Sequence, residues 1–75
     1  MIRVLIVEDE TIIRQGIRSL IHWGAMDCQV VGECTNGLEA VSFLKETKVD
    51  IVITDIKMPG MDGLELCKHI YENYP

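Results

Sequence analysis

The sequence has no surplus of positive charge. Twelve acidic residues stand against 7 basic ones in a chain of 75, for a formal net charge of -5. With no basic stripe to meet phosphates, the segment is not one that grips nucleic acid by itself, and any contact with DNA requires a further domain. It also lacks a long apolar run. The opening Met-Ile-Arg-Val-Leu-Ile-Val is too short for the apolar core of a secretory signal and far too short to span a bilayer, so a cytoplasmic chain with no membrane contact is expected. The cysteines, Cys28, Cys34 and Cys67, are odd in number and have no Cys-x-x-Cys spacing, which suggests neither a disulfide framework nor a zinc site and fits a reducing cytosol. There is no Gly-x-Gly-x-x-Gly or Walker pattern to support nucleotide binding, and no repeat, low-complexity tract or linker.

What is present is ordinary globular composition, 48% hydrophobic and 25% charged, for one small domain. A chain of this size buries only about 60% of the surface that its unfolded form exposes, so its stability is expected to be marginal. Two short apolar runs stand out. Val49, Ile51, Val52 and Ile53 read as a strand of a parallel sheet and end at Asp55; residues 4–7 read as another and end in Glu8, Asp9 and Glu10. Pro59 and Gly60 break the pattern after Asp55, so that carboxylate sits where a strand leaves the sheet. Loops at the carboxyl ends of parallel strands are where α/β proteins keep their chemistry.

Between and after these runs the pattern turns helical. Ile13, Ile17, Leu20 and Ile21 share one face while Arg14, Gln15 and Arg18 fall elsewhere, and Gly24 is the expected terminator. A strand is expected over residues 29–34. Asn36 with Glu39 resembles a capping box opening a helix that buries Leu38, Val41 and Leu44, with Lys45 and Lys48 favourable to its dipole. Asp62 with Glu65 opens a last helix, along which Leu64, Cys67, Ile70, Tyr71 and Tyr74 repeat; a hairpin at Asp62-Gly63 is disfavoured because no alternating run follows. The expected order is β-α-β-α-β-α with crossovers long enough for parallel pairing.

Carboxylates brought together by two strand ends repel one another, and a hard divalent cation is the usual compensation. A small site with one or two carboxylates, waters and phosphate oxygens suits Mg2+ better than Ca2+. An aspartate beside such an ion is a possible phosphoryl acceptor.

Glu8-Asp9 after the first strand, Asp55 after the third, and Met-Pro-Gly-Met-Asp-Gly over residues 58–63 together resemble the receiver domain of two-component response regulators. The residue 22–40 stretch and the Asp-Ile-Lys-Met-Pro motif are similar to receivers of AraC-type transcriptional regulators. The resemblance implies a flavodoxin-like, CheY-like fold with strand order 2-1-3. It makes Asp55 the phosphorylated residue, with Asp9 and Asp55 as Mg2+ ligands, Glu8 acting through water and Lys57 lending its backbone carbonyl; Met58, Pro59 and Gly60 shape the loop. It implies a sensor histidine kinase as phosphodonor and transcriptional regulation through a DNA-binding domain.

A whole receiver continues for two more β-α units, which bring a Ser/Thr and a Lys to the phosphate. Residues 1–75 therefore read as a partial receiver without an output domain. The expectation is not an enzyme but at most a slow self-phosphorylating chain, whose third strand lies on an open edge where self-association is expected. The alternative function is a non-phosphorylated interaction or dimerisation fragment.

Plainer roles are assigned to several residues. His22 and His69 read as surface or packing residues, Cys67 as a small core residue, Glu10 as a helix-start charge and Asp62 as an N-cap. An EF-hand beginning at Asp55 fails because its twelfth position is Leu66 rather than a bidentate acid.

Overall fold

The computed structural model describes residues 1–56 and 60–74. Its elements are β1 (Ile2–Val7), α1 (Thr11–Leu20), a short 3-10 helix (Trp23–Met26), β2 (Cys28–Cys34), α2 (Gly37–Glu46), β3 (Ile51–Thr54) and α3 (Gly63–Asn73). The three strands form one parallel sheet in the order β2-β1-β3, as expected for a receiver-like α/β fold. No described helix is long and apolar enough to cross a membrane.

The sheet is built around β1. Val4, Leu5, Ile6 and Val7 are each at most 1% exposed, because this strand has a hydrogen-bonded neighbour on both edges and side chains packed on both faces. Alternation sends Leu5 and Val7 into a cluster with Cys34, Ala40 and Leu66, and Val4 and Ile6 into a second with Cys28, Ile17 and Trp23. The first cluster draws its helical residues from α2 and α3, the second from α1 and the short helix, so the sheet is covered on both sides. Arg3 ties down the lower end of the sheet: its amide donates to Asp50 Oδ2 at 2.8 Å and its Nε to the Lys48 carbonyl at 2.7 Å.

The helix starts largely follow the expected chemistry. Asp62 caps α3 by accepting from the Glu65 amide at 2.9 Å, and the Glu65 side chain completes the box. Asn36 caps α2 in the same way, but Glu39 turns instead to Thr35, accepting from its amide at 2.7 Å and its hydroxyl at 2.9 Å. These bonds hold the Glu39 carboxyl below its ordinary range.

The helix faces differ from expectation at several positions. In α3 the fully buried residue is Leu66; Leu64 and Cys67 are exposed, so Cys67 is not a core residue. Gly63, Leu66 and Ile70 form the packed stripe, while Cys67, Tyr71 and Tyr74 lie one strip round and face an open groove beside β3. In α2 Ala40 is buried and Leu38 is 59% exposed, since Ala40, Phe43 and Leu44 point at the sheet. In α1 Ile17 packs but Leu20 is 80% exposed. That helix ends at Leu20 rather than Gly24, which lies inside the 3-10 turn; the left-handed residue closing this turn is Asp27, with φ of 56°. His22 is exposed, and His69 is half-buried with its ring 6.3 Å from that of Tyr74.

Gly63 is required by close approach. A Cβ on Gly63 would overlap the Asp55 carbonyl oxygen and lie 2.8 Å from the Ile56 Cα, and the Gly63 amide donates to the Ile56 carbonyl at 2.9 Å. Gly16, within α1, meets nothing within 4 Å. Gly63→Ala is therefore expected to destabilise the chain by about 1–3 kcal/mol through backbone overlap, whereas Gly16→Ala should stabilise it by about 0.5–1 kcal/mol. Urea midpoints of the two variants test this, and equal shifts of the same sign would contradict it.

Thiol reactivity should follow burial. Desolvation, with the Glu39 charge as a lesser cause, pushes the Cys34 thiol up to about 11, so only about one part in a thousand is thiolate at pH 8. Cys28 is also buried. Iodoacetamide at that pH is expected to label Cys67 first, with Cys28 and Cys34 reacting only after denaturation. Peptide mapping showing early label on Cys34 would be the opposing result.

Candidate functional site

The register of the sheet places the acids. Val7 of β1 pairs with Thr54 of β3, so Glu8 and Asp55 are the next residues on two adjacent parallel strands. The ladders run slightly past the strand ends: the Asp55 amide donates to the Val7 carbonyl at 3.3 Å, and the Glu8 amide to the Cys34 carbonyl at 2.9 Å. Asp9 follows on the turn into α1. Carboxylate oxygens of Glu8, Asp9 and Asp55 consequently all lie within 4.8 Å of one another.

The three carboxylates are in different surroundings. Glu8 is 5% exposed, and Asp9 and Asp55 are open to solvent. Burial raises the Glu8 carboxyl above its ordinary value; a bond from the Glu10 amide, at 3.1 Å to Oε2, opposes this, and a hydrogen bond with Asp9 and the charges of Asp55 and Asp9 add to the rise. Asp55 Oδ1 accepts from the Ile56 amide at 2.7 Å. Two exposed carboxylates and one buried one, offering oxygen only, form a donor set suited to a hard cation and unsuited to a soft one.

Of the residues singled out in the sequence, Glu8, Asp9 and Asp55 are thus brought together. Glu10 is the N-cap residue of α1 without a side-chain cap bond; its carbonyl accepts the Arg14 amide at 2.9 Å. Asp62 is occupied as an N-cap. The assignments to Lys57, Met58 and Pro59 lie outside the described residues. Gly60 has φ of 77°, a left-handed value that suits glycine.

Two contributors escaped the sequence reading. Gly63 permits the start of α3 to sit against the Asp55 carbonyl, although its pairing with Asp62 reads locally as a cap or turn. Arg14 is the other: its Nη1 donates to the Glu8 carbonyl at 2.8 Å and its Nε lies 3.3 Å from Glu33 Oε1. Its only sequence-level mark was to fall off the apolar stripe of α1.

Comparison with known proteins gives a consistent result. The family model described as the response regulator receiver domain matches residues 4–75. The uncharacterized transcriptional regulatory protein YesN of Bacillus subtilis is 43% identical over 70 residues, which are 93% of this chain and 19% of that protein. A protein-glutamate methylesterase/protein-glutamine glutaminase of Hahella chejuensis is 46% identical over 72 residues, covering 96% of this chain and 20% of that one. The crystal structure of a two-component transcriptional regulator AraC from Clostridium phytofermentans superposes with a TM-score of 0.91 at 33% identity, over 100% of this chain and 60% of that one. The chain thus spans about a fifth of the two curated relatives, one named as a transcriptional regulator and the other as an enzyme. With the family match running almost end to end on a three-stranded sheet of the order β2-β1-β3, the chain belongs to the receiver domains of two-component response regulators.

Proposed function

We propose that this chain is a phosphoryl-accepting receiver in which Asp55 takes a phosphoryl group from a histidine kinase and Asp9, Asp55 and the Lys57 carbonyl hold Mg2+, with Glu8 reaching it through water. The observation that carries this reading is the meeting of Glu8, Asp9 and Asp55 oxygens within 4.8 Å at the ends of β1 and β3. Bonds of about 2.1 Å place two oxygens on one octahedral Mg2+ at most about 4.2 Å apart. The cluster is therefore close to the size of one coordination sphere. When bound, the ion supplies charge neutralisation for the transferring phosphate.

The rest of the chemistry falls to the chain. An Asp55 oxygen attacks phosphorus in line with the leaving group; an O-P bond forms as the P-N bond of a phosphohistidine breaks, and the released imidazole takes a proton from solvent. Asp55 is solvent-exposed and so accessible to a donor of that size. The chain acts as a stoichiometric acceptor rather than an enzyme. The names of two relatives support transcriptional output; the output proposed for the whole protein is through a DNA-binding domain, in the cytoplasm.

The test is incubation with Mg2+ and acetyl phosphate followed by intact-mass and peptide analysis. One phosphoryl group is expected, on Asp55 and absent from Asp55→Asn. In NMR titrations Mg2+ should shift the Glu8, Asp9 and Asp55 amides, and Asp9→Asn should weaken binding by about tenfold or more. A chain that takes no label and shows no Mg2+-dependent shifts would favour a non-phosphorylated interaction piece.

The partner proposal for the bare chain is a second copy at β3. Among the described residues β3 pairs only with β1, Ile51 is 43% exposed, and an apolar groove lined by Leu44, Val52, Ile70 and Tyr71 runs beside it. Unpaired strand groups next to apolar surface favour edge-to-edge pairing. Light scattering at high micromolar concentration is expected to show a dimer or larger species that Val52→Lys disperses. A compact monomer under those conditions is the contrary result.

A further inference from the structure

We infer that Arg14 is a positioning residue for the acidic site, fixing the Glu8-Asp9 peptide and thereby the place of the Asp9 carboxylate. The inference rests on the Mg2+ reading above and goes beyond the acids themselves. The Glu8 residue is held through both backbone groups. Its amide donates to the Cys34 carbonyl at 2.9 Å, and its carbonyl accepts from Arg14 Nη1 at 2.8 Å, where the sheet ladder has run out. Since the peptide unit is planar, fixing the Glu8 carbonyl fixes the direction in which the chain enters Asp9.

Arg14 is itself well held. Its side chain is 14% exposed, and Nε faces Glu33 Oε1 on β2 at 3.3 Å. The other Glu33 oxygen is taken by Arg18, one turn further along α1. Glu33 precedes Cys34, whose carbonyl receives the Glu8 amide, so α1, β2 and the end of β1 are joined at one point. A guanidinium can serve a carbonyl and a carboxylate at once from different edges; an ammonium is a single point charge without that fork.

The sign of the effect separates positioning from simple electrostatics. A cation near a Mg2+ site repels the ion, so if the charge of Arg14 were what mattered, its removal would tighten binding. If Arg14 orients the peptide, its removal weakens binding although the local positive charge is gone. A role in stability alone would lower the unfolding midpoint and leave the affinity of the folded chain unchanged.

The experiment is an amide NMR titration with MgCl2 of the wild-type chain, Arg14→Ala and Arg14→Lys, with the urea midpoint of each measured in parallel. Arg14→Ala is expected to weaken Mg2+ binding by about tenfold. Arg14→Lys, which keeps the charge and loses the fork, should also bind more weakly. Unchanged or tighter binding in the folded variants overturns the inference while leaving the receiver reading intact. Should Arg14→Ala fail to fold, the Arg14→Lys titration decides on the same terms. A wild-type chain that shows no Mg2+-dependent shifts removes the receiver reading, and this inference with it.

Discussion

Parallel pairing of β1 with a neighbour on each edge is the constraint from which the rest of the molecule follows. The strand can be buried at both faces only because β2 and β3 satisfy its backbone groups and three helices cover its side chains. The same pairing fixes register: once Val7 stands beside Thr54, Glu8 has no choice but to emerge beside Asp55. The apolar alternation that stabilises the fold and the clustering of acids that defines the site are two results of one alignment. A shift of one residue would turn Leu5 and Val7 away from α2 and α3 and separate the carboxylates at the same time.

Holding like charges together needs local reinforcement, and it comes from residues that carry little chemistry of their own. The Glu10 amide donates to a Glu8 carboxylate oxygen, Arg14 holds the Glu8 carbonyl, and Gly63 lets α3 approach the Asp55 carbonyl without a clash. The capping bonds of Asn36 and Asp62 fix the starts of α2 and α3, and the Gly37 amide joins the two by donating to the Met61 carbonyl at 3.1 Å. The upper rim of the sheet is thus a set of short turns tied to one another by hydrogen bonds.

The strands and the acidic residues were legible because each depends on local pattern, a run of apolar residues, a carboxylate at its end, a cap three residues before its partner; the strand order came from the family resemblance. The helix faces were less so. Periodicity identifies an apolar stripe but does not say which part of it meets the sheet, and in α3 the stripe is wider than the contact. Leu66 and Ile70 face the core while Tyr71 and Tyr74 look into the groove by β3. Leu38 and Leu20 are exposed for the same reason. Arg14 and Gly63 escaped notice because their partners, Glu33 and Asp55, are distant in sequence or reached only through backbone atoms, which leave no trace in residue type. The meeting of the three acids was legible, and what positions them was not.

The Glu8 carboxyl also couples folding to pH. Burial and the charges of Asp55 and Asp9 raise the Glu8 carboxyl in the folded chain, so the folded state holds that proton more tightly than the unfolded state does. For a group raised in this way the stabilising contribution is fully present below the unfolded pKa and is lost as pH rises through the folded value; near neutrality the bare cluster therefore opposes the fold. A cation bound by the folded chain alone would offset that penalty by RT ln(1 + [L]/Kd), or about 2.7 kcal/mol at a hundredfold excess over Kd. In a small domain whose net stability is about 5–15 kcal/mol at most, that is a substantial share. The acids are thus placed where their mutual repulsion is tolerated by a well-buried β1 and can be turned to advantage by a ligand of opposite charge.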